Sequence, residues 1–271
     1  MATSDFTREL ARRSRISAVK ATHVGKTSHV GSSLSMIDIL SVIYGTSANV
    51  SVDTIDDPER DIVIVSKGHA AAGTYAVMAN AGILPMEWLD DYCADGSRLG
   101  GHVTSVGVPG VELSTGSLGH GLPYGLGIAL AAKRGSSERR IFVLMSDGEC
   151  DEGTTWESAL VAGHHGLDNI VVAVDRNRLQ SLMDTELTLR LEPFADKWRA
   201  FGWDVRDVDG HDHDALIEAF SADSTIPGKP RIVICNTTKG KGVSFMENQV
   251  AWHYRTPNVE QVAIANAELA G

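Results

Sequence analysis

The chain has 271 residues, enough for a full hydrophobic core and near the upper size of one domain. Its 24 basic and 35 acidic residues leave a formal charge of −11, which argues against a nucleic-acid surface, and an ordinary apolar content with no run of about 18 apolar residues leaves no membrane-spanning helix. Residues 1–15 are polar and lack a signal-peptide core, and Cys93, Cys150 and Cys235 are scattered, so a cytoplasmic chain with reduced thiols is expected.

Residues 5–25 read as a helix. The small residues of 25–33, which include His29, break the pattern, and a second helix is expected over 34–44. The apolar run 62–65 reads as a buried strand ending at Ser66-Lys67-Gly68-His69, and 70–81 as a helix. Residues 100–121 are too rich in Gly, Pro, Ser and Thr for regular structure, and a loop this long inside a compact domain is usually functional. It holds His102 and the run Gly116-Ser117-Leu118-Gly119, after which 122–133 is helical. Strands over 141–145 and 170–174 flank a segment in which Trp156, Ala159, Leu160 and Gly163 recur at helical spacing. Strands over 203–208 and 231–235 follow, with a helix over 212–220 between them. Lys239-Gly240-Lys241-Gly242 reads as a small loop feature rather than a polyanion site, and 257–271 as the tail of a single domain spanning 1–271. Apolar strands alternating with helices predict an α/β fold, a parallel sheet with helices on both faces.

In such a sheet Asp147 and Asn177 stand at the carboxyl ends of two strands, where open α/β sheets place ligands. A carboxylate and an amide oxygen there make a hard-cation site. Mg²⁺ suits it, because it takes few protein oxygens and completes its octahedron with phosphate and water. Gly148 lets the chain turn and offers an N–H to a phosphate, at the start of the following helix. His29 and His69 lie on turns beside a strand or helix end and are expected to converge on the same edge.

The stretch from Ser146-Asp147-Gly148-Glu149 to Asn177 resembles the thiamine diphosphate motif that begins Gly-Asp-Gly and ends at an Asn, with Ser146 in place of the first Gly. Together with His29, Ser66-Lys67-Gly68-His69-Ala70, the run ending at Gly116-Ser117-Leu118-Gly119, Lys239-Gly240-Lys241-Gly242 and His253, it makes residues 10–257 resemble the N-terminal, diphosphate-binding domain of transketolase. The resemblance implies a thiamine diphosphate-binding fold in which Asp147, the Asn177 side chain and the Leu179 carbonyl hold Mg²⁺ (or Ca²⁺ or Mn²⁺). It implies that His69 and His253 donate to the diphosphate beside the Gly148 N–H. His29 and His102 would bind sugar hydroxyls and exchange protons with them, which suits a side chain whose unperturbed pKa is about 6.5. Gly116 and Leu118 would approach the pyrimidine, Ser117 and Glu149 would belong to the cofactor shell, and Glu152 would lie at the subunit interface. His120 and Val30 depart from the family's Gln and Pro.

In that family a Glu on a second, pyrimidine-binding domain activates the cofactor, and the short stretch after Pro257 is not expected to hold such a domain. The expectation is therefore the first subunit of a split transketolase, a transferase of the EC 2.2.1 class. It would move a two-carbon ketol unit from a ketose or its phosphate to an aldose, together with a separate pyrimidine-domain subunit, in an α₂β₂ complex. The alternatives are a non-catalytic cofactor-binding or scaffold subunit, and the α subunit of a 2-oxo-acid decarboxylating complex, which leaves His29 and His102 unexplained.

Overall fold

In the computed structural model, which describes residues 3–271, strands β1 (Ile62–Val65), β2 (Ile141–Ser146), β3 (Ile170–Arg176), β4 (Asp204–Asp209) and β5 (Arg231–Asn236) form one parallel sheet in the order β1-β2-β3-β5-β4. The helices are α1 (Thr3–Val24), α2 (Val30–Val42), α3 (Ala71–Asn80), α4 (Gly121–Arg134), α5 (Gly153–His165), the single turn α6 (Thr185–Thr188), α7 (Phe194–Ala200), α8 (His213–Phe220) and α9 (Val259–Ala270). Successive strand residues point to opposite faces, so the sheet feeds two cores. Val63, Val65, Phe142, Leu144, Val171 and Val233 pack under α1, α2, α3 and α8. Ile64, Ile141, Val143, Ile170, Val172 and Ile232 pack under α4, α5 and α7. Four strands are accordingly buried almost throughout. β4, at the edge opposite β1, differs: it is half exposed, with Asp207 and Asp209 facing water while Asp204 is held by Arg206 and Arg231.

Two elements depart from the sequence expectation. α2 begins at Val30, four residues earlier than expected, and all of it is buried. The small residues that look like a break are there for packing: a Cβ added at Gly73 of α3 would lie 2.9 Å from the Ser33 Cβ of α2, so the two helices approach closely only because both contacts are small. The stretch after Pro257 is not a loose tail. Asn258 and Gln261 form a capping box that starts α9, and Ala265 and Leu269 are buried in the core shared with α1.

The loop 100–121 is irregular, as expected, but it is fastened to the end of β1. The Thr115 hydroxyl donates to the Val65 carbonyl (2.7 Å) and the Thr115 N–H to the Val103 carbonyl (3.0 Å). All three cysteines are free. No described helix is long and apolar enough to cross a membrane.

Candidate active site

The strands' carboxyl ends and the turn before α2 deliver their loops to one cleft. It is lined by Asp147 and Gly148 after β2, Asn177 and Leu179 after β3, His69 after β1, and His29 and His253. The registers of β2 and β3 pair Ser146 with Asp175, so the next residues of each chain emerge side by side. The Asp147 carboxylate accepts the Gly148 N–H (2.8 Å) on one oxygen and the Arg178 N–H (2.6 Å) on the other. Arg178 reaches it from a left-handed turn, φ 63°. Burial, with Asp175 nearby, pushes the Asp147 carboxyl up to about 7. The Asn177 amide nitrogen donates to Asp175 (3.2 Å) and its oxygen accepts the Leu179 N–H (3.1 Å). The Leu179 carbonyl accepts from the Lys239 ammonium (3.1 Å).

These donors fit a hard cation. Asp147, Asn177 and Leu179 line the same cleft and offer it oxygens of three kinds, one of them a carboxylate that burial penalises until a positive charge arrives. No group of three His, Cys, Asp or Glu side chains that could hold a metal gathers among the described residues. A Cβ at Gly148 would lie 2.8 Å from the Gln180 Cγ, which leaves little room there for anything but glycine.

The histidines converge as expected. The His29 ring lies 4.7 Å from that of His253, 5.2 Å from His69 and 5.8 Å from His102, centroid to centroid. His29 sits in the left-handed region, φ 71°, with its N–H on the His253 carbonyl (2.9 Å), and its buried Nδ1 has no partner. Their protonation differs from the expectation of a pKa near 6.5. Burial, then His102 and the lysines, takes His29 down to about 4, burial and Lys239 take His253 to about 3, and burial and Lys67 hold His69 well below the usual range. Without an anion the three are neutral at pH 7.

The cations of the cleft are two lysines that sequence reasoning passed over. Lys67 is wholly buried and bonds the Ser32 carbonyl (3.1 Å) and Asp175. Lys239 is no mere loop feature: it is 1% exposed, bonds Leu179 and approaches the His253 Nδ1 (3.2 Å). Burial and the Lys67 charge lower its pKa to about 8. Each stands just beyond the carboxyl end of a strand, within a run that stood out in the sequence without giving the lysine a role.

Other expected residues stand elsewhere. Gly116 and Leu118 line the cleft, whereas Ser117 and Glu152 are exposed outside it and His102 is exposed near its mouth. Glu149 is buried with its carboxylate turned away, accepting from the Ser66 hydroxyl, the Gly119 N–H (2.9 Å) and the Ser146 N–H (3.4 Å). Those donors satisfy it, so it ties loops together rather than meeting a ligand. The Gly148 N–H is taken by Asp147, and a 3₁₀ turn (Gly148–Asp151) separates it from α5, so no long-helix terminus faces the cleft at Gly148. Cys150 is buried, and burial pushes its thiol well up, which suits a small packing residue rather than a nucleophile. The cleft holds ≈ 170 Å³, less than the roughly 300 Å³ of pockets that enclose a drug-sized ligand, so it seats one end of such a molecule.

Residues 6–269 match the family described as transketolase, thiamine diphosphate binding domain. The chain is 44% identical over 242 residues to a protein of Actinobacillus succinogenes named as one of the subunits of apulose-4-phosphate transketolase, covering 89% of this chain and 87% of that one. It is 38% identical over 241 residues to 6-deoxy-6-sulfo-D-fructose transketolase subunit SqwG of Clostridium sp., covering 89% and 88%. The solved transketolase from Leishmania mexicana superposes with a TM-score of 0.90 at 29% identity; the match covers 97% of this chain but only 41% of that longer one.

Proposed function

The chain belongs to the transketolase thiamine diphosphate-binding family, and from that premise we propose that it is the diphosphate-binding subunit of a two-chain transketolase, transferring ketol units between sugar phosphates together with a separate pyrimidine-domain partner. The convergence of Asp147, Asn177 and the Leu179 carbonyl with His69, His253 and two lysines carries this reading. Relatives of similar length are named as subunits, while the longer transketolase spans more than twice this chain. The matches are to transketolases, so the 2-oxo-acid alternative is not retained.

Thiamine diphosphate supplies the carbon chemistry when bound. In our reading Asp147, the Asn177 oxygen and the Leu179 carbonyl hold Mg²⁺, and His69, His253, Lys67 and Lys239 neutralise the diphosphate. An anion there raises the depressed pKa values of His29 and His253, since burial beside cations is what lowered them. His29, with a free Nδ1, then exchanges a proton with a sugar hydroxyl, and the exposed His102 binds a hydroxyl at the mouth. Gly116 and Leu118 form the wall next to the ring system, and Ser117 and Glu152 face the partner. The complex is taken as α₂β₂, in keeping with the prevalence of two-fold assemblies.

The test is a transfer assay from a ketose phosphate to an aldose phosphate with thiamine diphosphate and Mg²⁺. The chain alone should give no turnover, and adding the pyrimidine-domain partner should restore it. Turnover by the chain alone overturns the two-chain reading.

A further inference from the structure

Asp175 is a carboxylate for which the proposed chemistry has no use. It lies inside β3, level with Ser146 of β2 and Cys235 of β5, and it is fully buried. Four donors converge on it: the Lys67 ammonium, the Ser35 hydroxyl (2.5 Å), the Thr237 hydroxyl and the Asn177 amide nitrogen (3.2 Å). Ser35 is on α2, Lys67 follows β1, Asn177 follows β3 and Thr237 follows β5. One carboxylate thus joins the elements that surround the cleft.

An amide can turn either end towards a neighbour, but an ionised carboxylate only accepts. Asn177 must therefore present its NH₂ to Asp175, which aims its oxygen the other way. That oxygen takes the Leu179 N–H (3.1 Å) on one lone pair and keeps the second. The reverse orientation would set an NH₂ against a cation. We propose that Asp175, ion-paired with Lys67, is the positioning residue that fixes the Asn177 amide with its oxygen towards the divalent cation, and so sets the affinity of the half-site for that cation. The proposal rests on the reading of Asn177 as a metal ligand given above. Partners behind metal ligands generally tune affinity in this way.

The test uses the complex of this chain with its pyrimidine-domain partner and reads Mn²⁺ binding by electron paramagnetic resonance, with Mg²⁺-dependent retention of thiamine diphosphate beside it. Lys67, Ser35 and Asn177 donate to one Asp175 oxygen and Thr237 to the other, so the acceptor beside Asn177 is removed by Lys67→Met with Asp175→Leu, which takes out both buried charges together; Asp175→Ala with Lys67→Met is the smaller alternative if that pair does not fold. Mn²⁺ affinity should then fall about 10–100-fold. Asp175→Asn can keep its amide oxygen towards Lys67, Ser35 and Asn177 and should lose less. Adding Asn177→Asp to the paired variant should raise affinity by more than the same change does in the native chain, because a carboxylate presents an oxygen whichever way it turns while its extra charge helps both alike. A merely structural role would give equal gains. Asp147→Ala is the reference. A loss in Asp147→Ala with unchanged affinity in the folded paired variant, or equal gains from Asn177→Asp in the two backgrounds, overturns the positioning role and leaves the metal site standing. Unchanged affinity in Asp147→Ala as well overturns the site reading with it.

Discussion

At pH 7 the histidines facing the cleft are neutral and its positive charges are lysines, an assignment of roles that residue types alone did not reveal. His29, His69 and His253 were legible because each stands on a turn among motif residues. Lys239 was not, because a lysine in a Gly-rich loop is usually a solvated residue, and only the fold turns it inward. Lys239→Met should weaken thiamine diphosphate binding by the worth of one charge-assisted hydrogen bond, about 1.5–3 kcal/mol, while leaving binding of thiamine, which has no diphosphate, unchanged. Equal losses for both ligands, read by calorimetry, would remove Lys239 from the diphosphate. The neutral histidines also predict an acid sensitivity. The folded pKa of His29, about 4, lies below the value of about 6.5 for an unfolded chain, so the unfolded state takes up protons first and stability drains as pH falls between those limits. His29→Gln should lose less stability than the native chain between about pH 7 and pH 5, measured by urea denaturation. Coincident profiles would contradict it.

Among elements, the strands of the two cores were legible from apolar runs because burial on both faces leaves little else to choose. α2 was not read to its true start: Ser33 looks like an N-cap and puts the start at residue 34, whereas the smallness of Gly31 and Ser33 serves contacts that involve residues distant in sequence. α9 escaped although Asn258 and Gln261 spell its capping box, because a terminal stretch invites a reading as tail. The acidic loop after β2 combined both outcomes, Asp147 facing the cleft and Glu149, two residues on, facing the interior. Glu149 accepts from Ser66 and Gly119, and Ser66 in turn accepts the Gly121 N–H (3.0 Å), so this one carboxylate latches the loop that carries Gly116 and Leu118. Glu149→Ala leaves those donors buried without an acceptor and should cost about 1–3 kcal/mol. It should also open residues 114–120 to limited proteolysis. Native stability and an uncut loop would show that the latch has no such function.

For the molecule as a whole, a parallel sheet sends its loops to one edge, and that rule led from the strands' carboxyl ends to the cleft that Asp147, Asn177 and His69 line. What the rule could not supply was the inner arrangement behind the ligands. The Lys67–Asp175 pair is invisible in sequence because its members are 108 positions apart and meet only when β1 and β3 lie in one sheet. In the proposed function this cleft takes the diphosphate end of the cofactor, and a divalent cation fastens it there. The direct measurement is calorimetric titration of thiamine diphosphate into the two-chain complex, with and without Mg²⁺, for the native chain and for Asp147→Ala. Saturable binding of the native complex is expected only with Mg²⁺, with a loss in Asp147→Ala of at least the roughly 10–100-fold that an outer partner of a metal ligand is worth. Equal affinity with and without the cation, or in the variant, would contradict it.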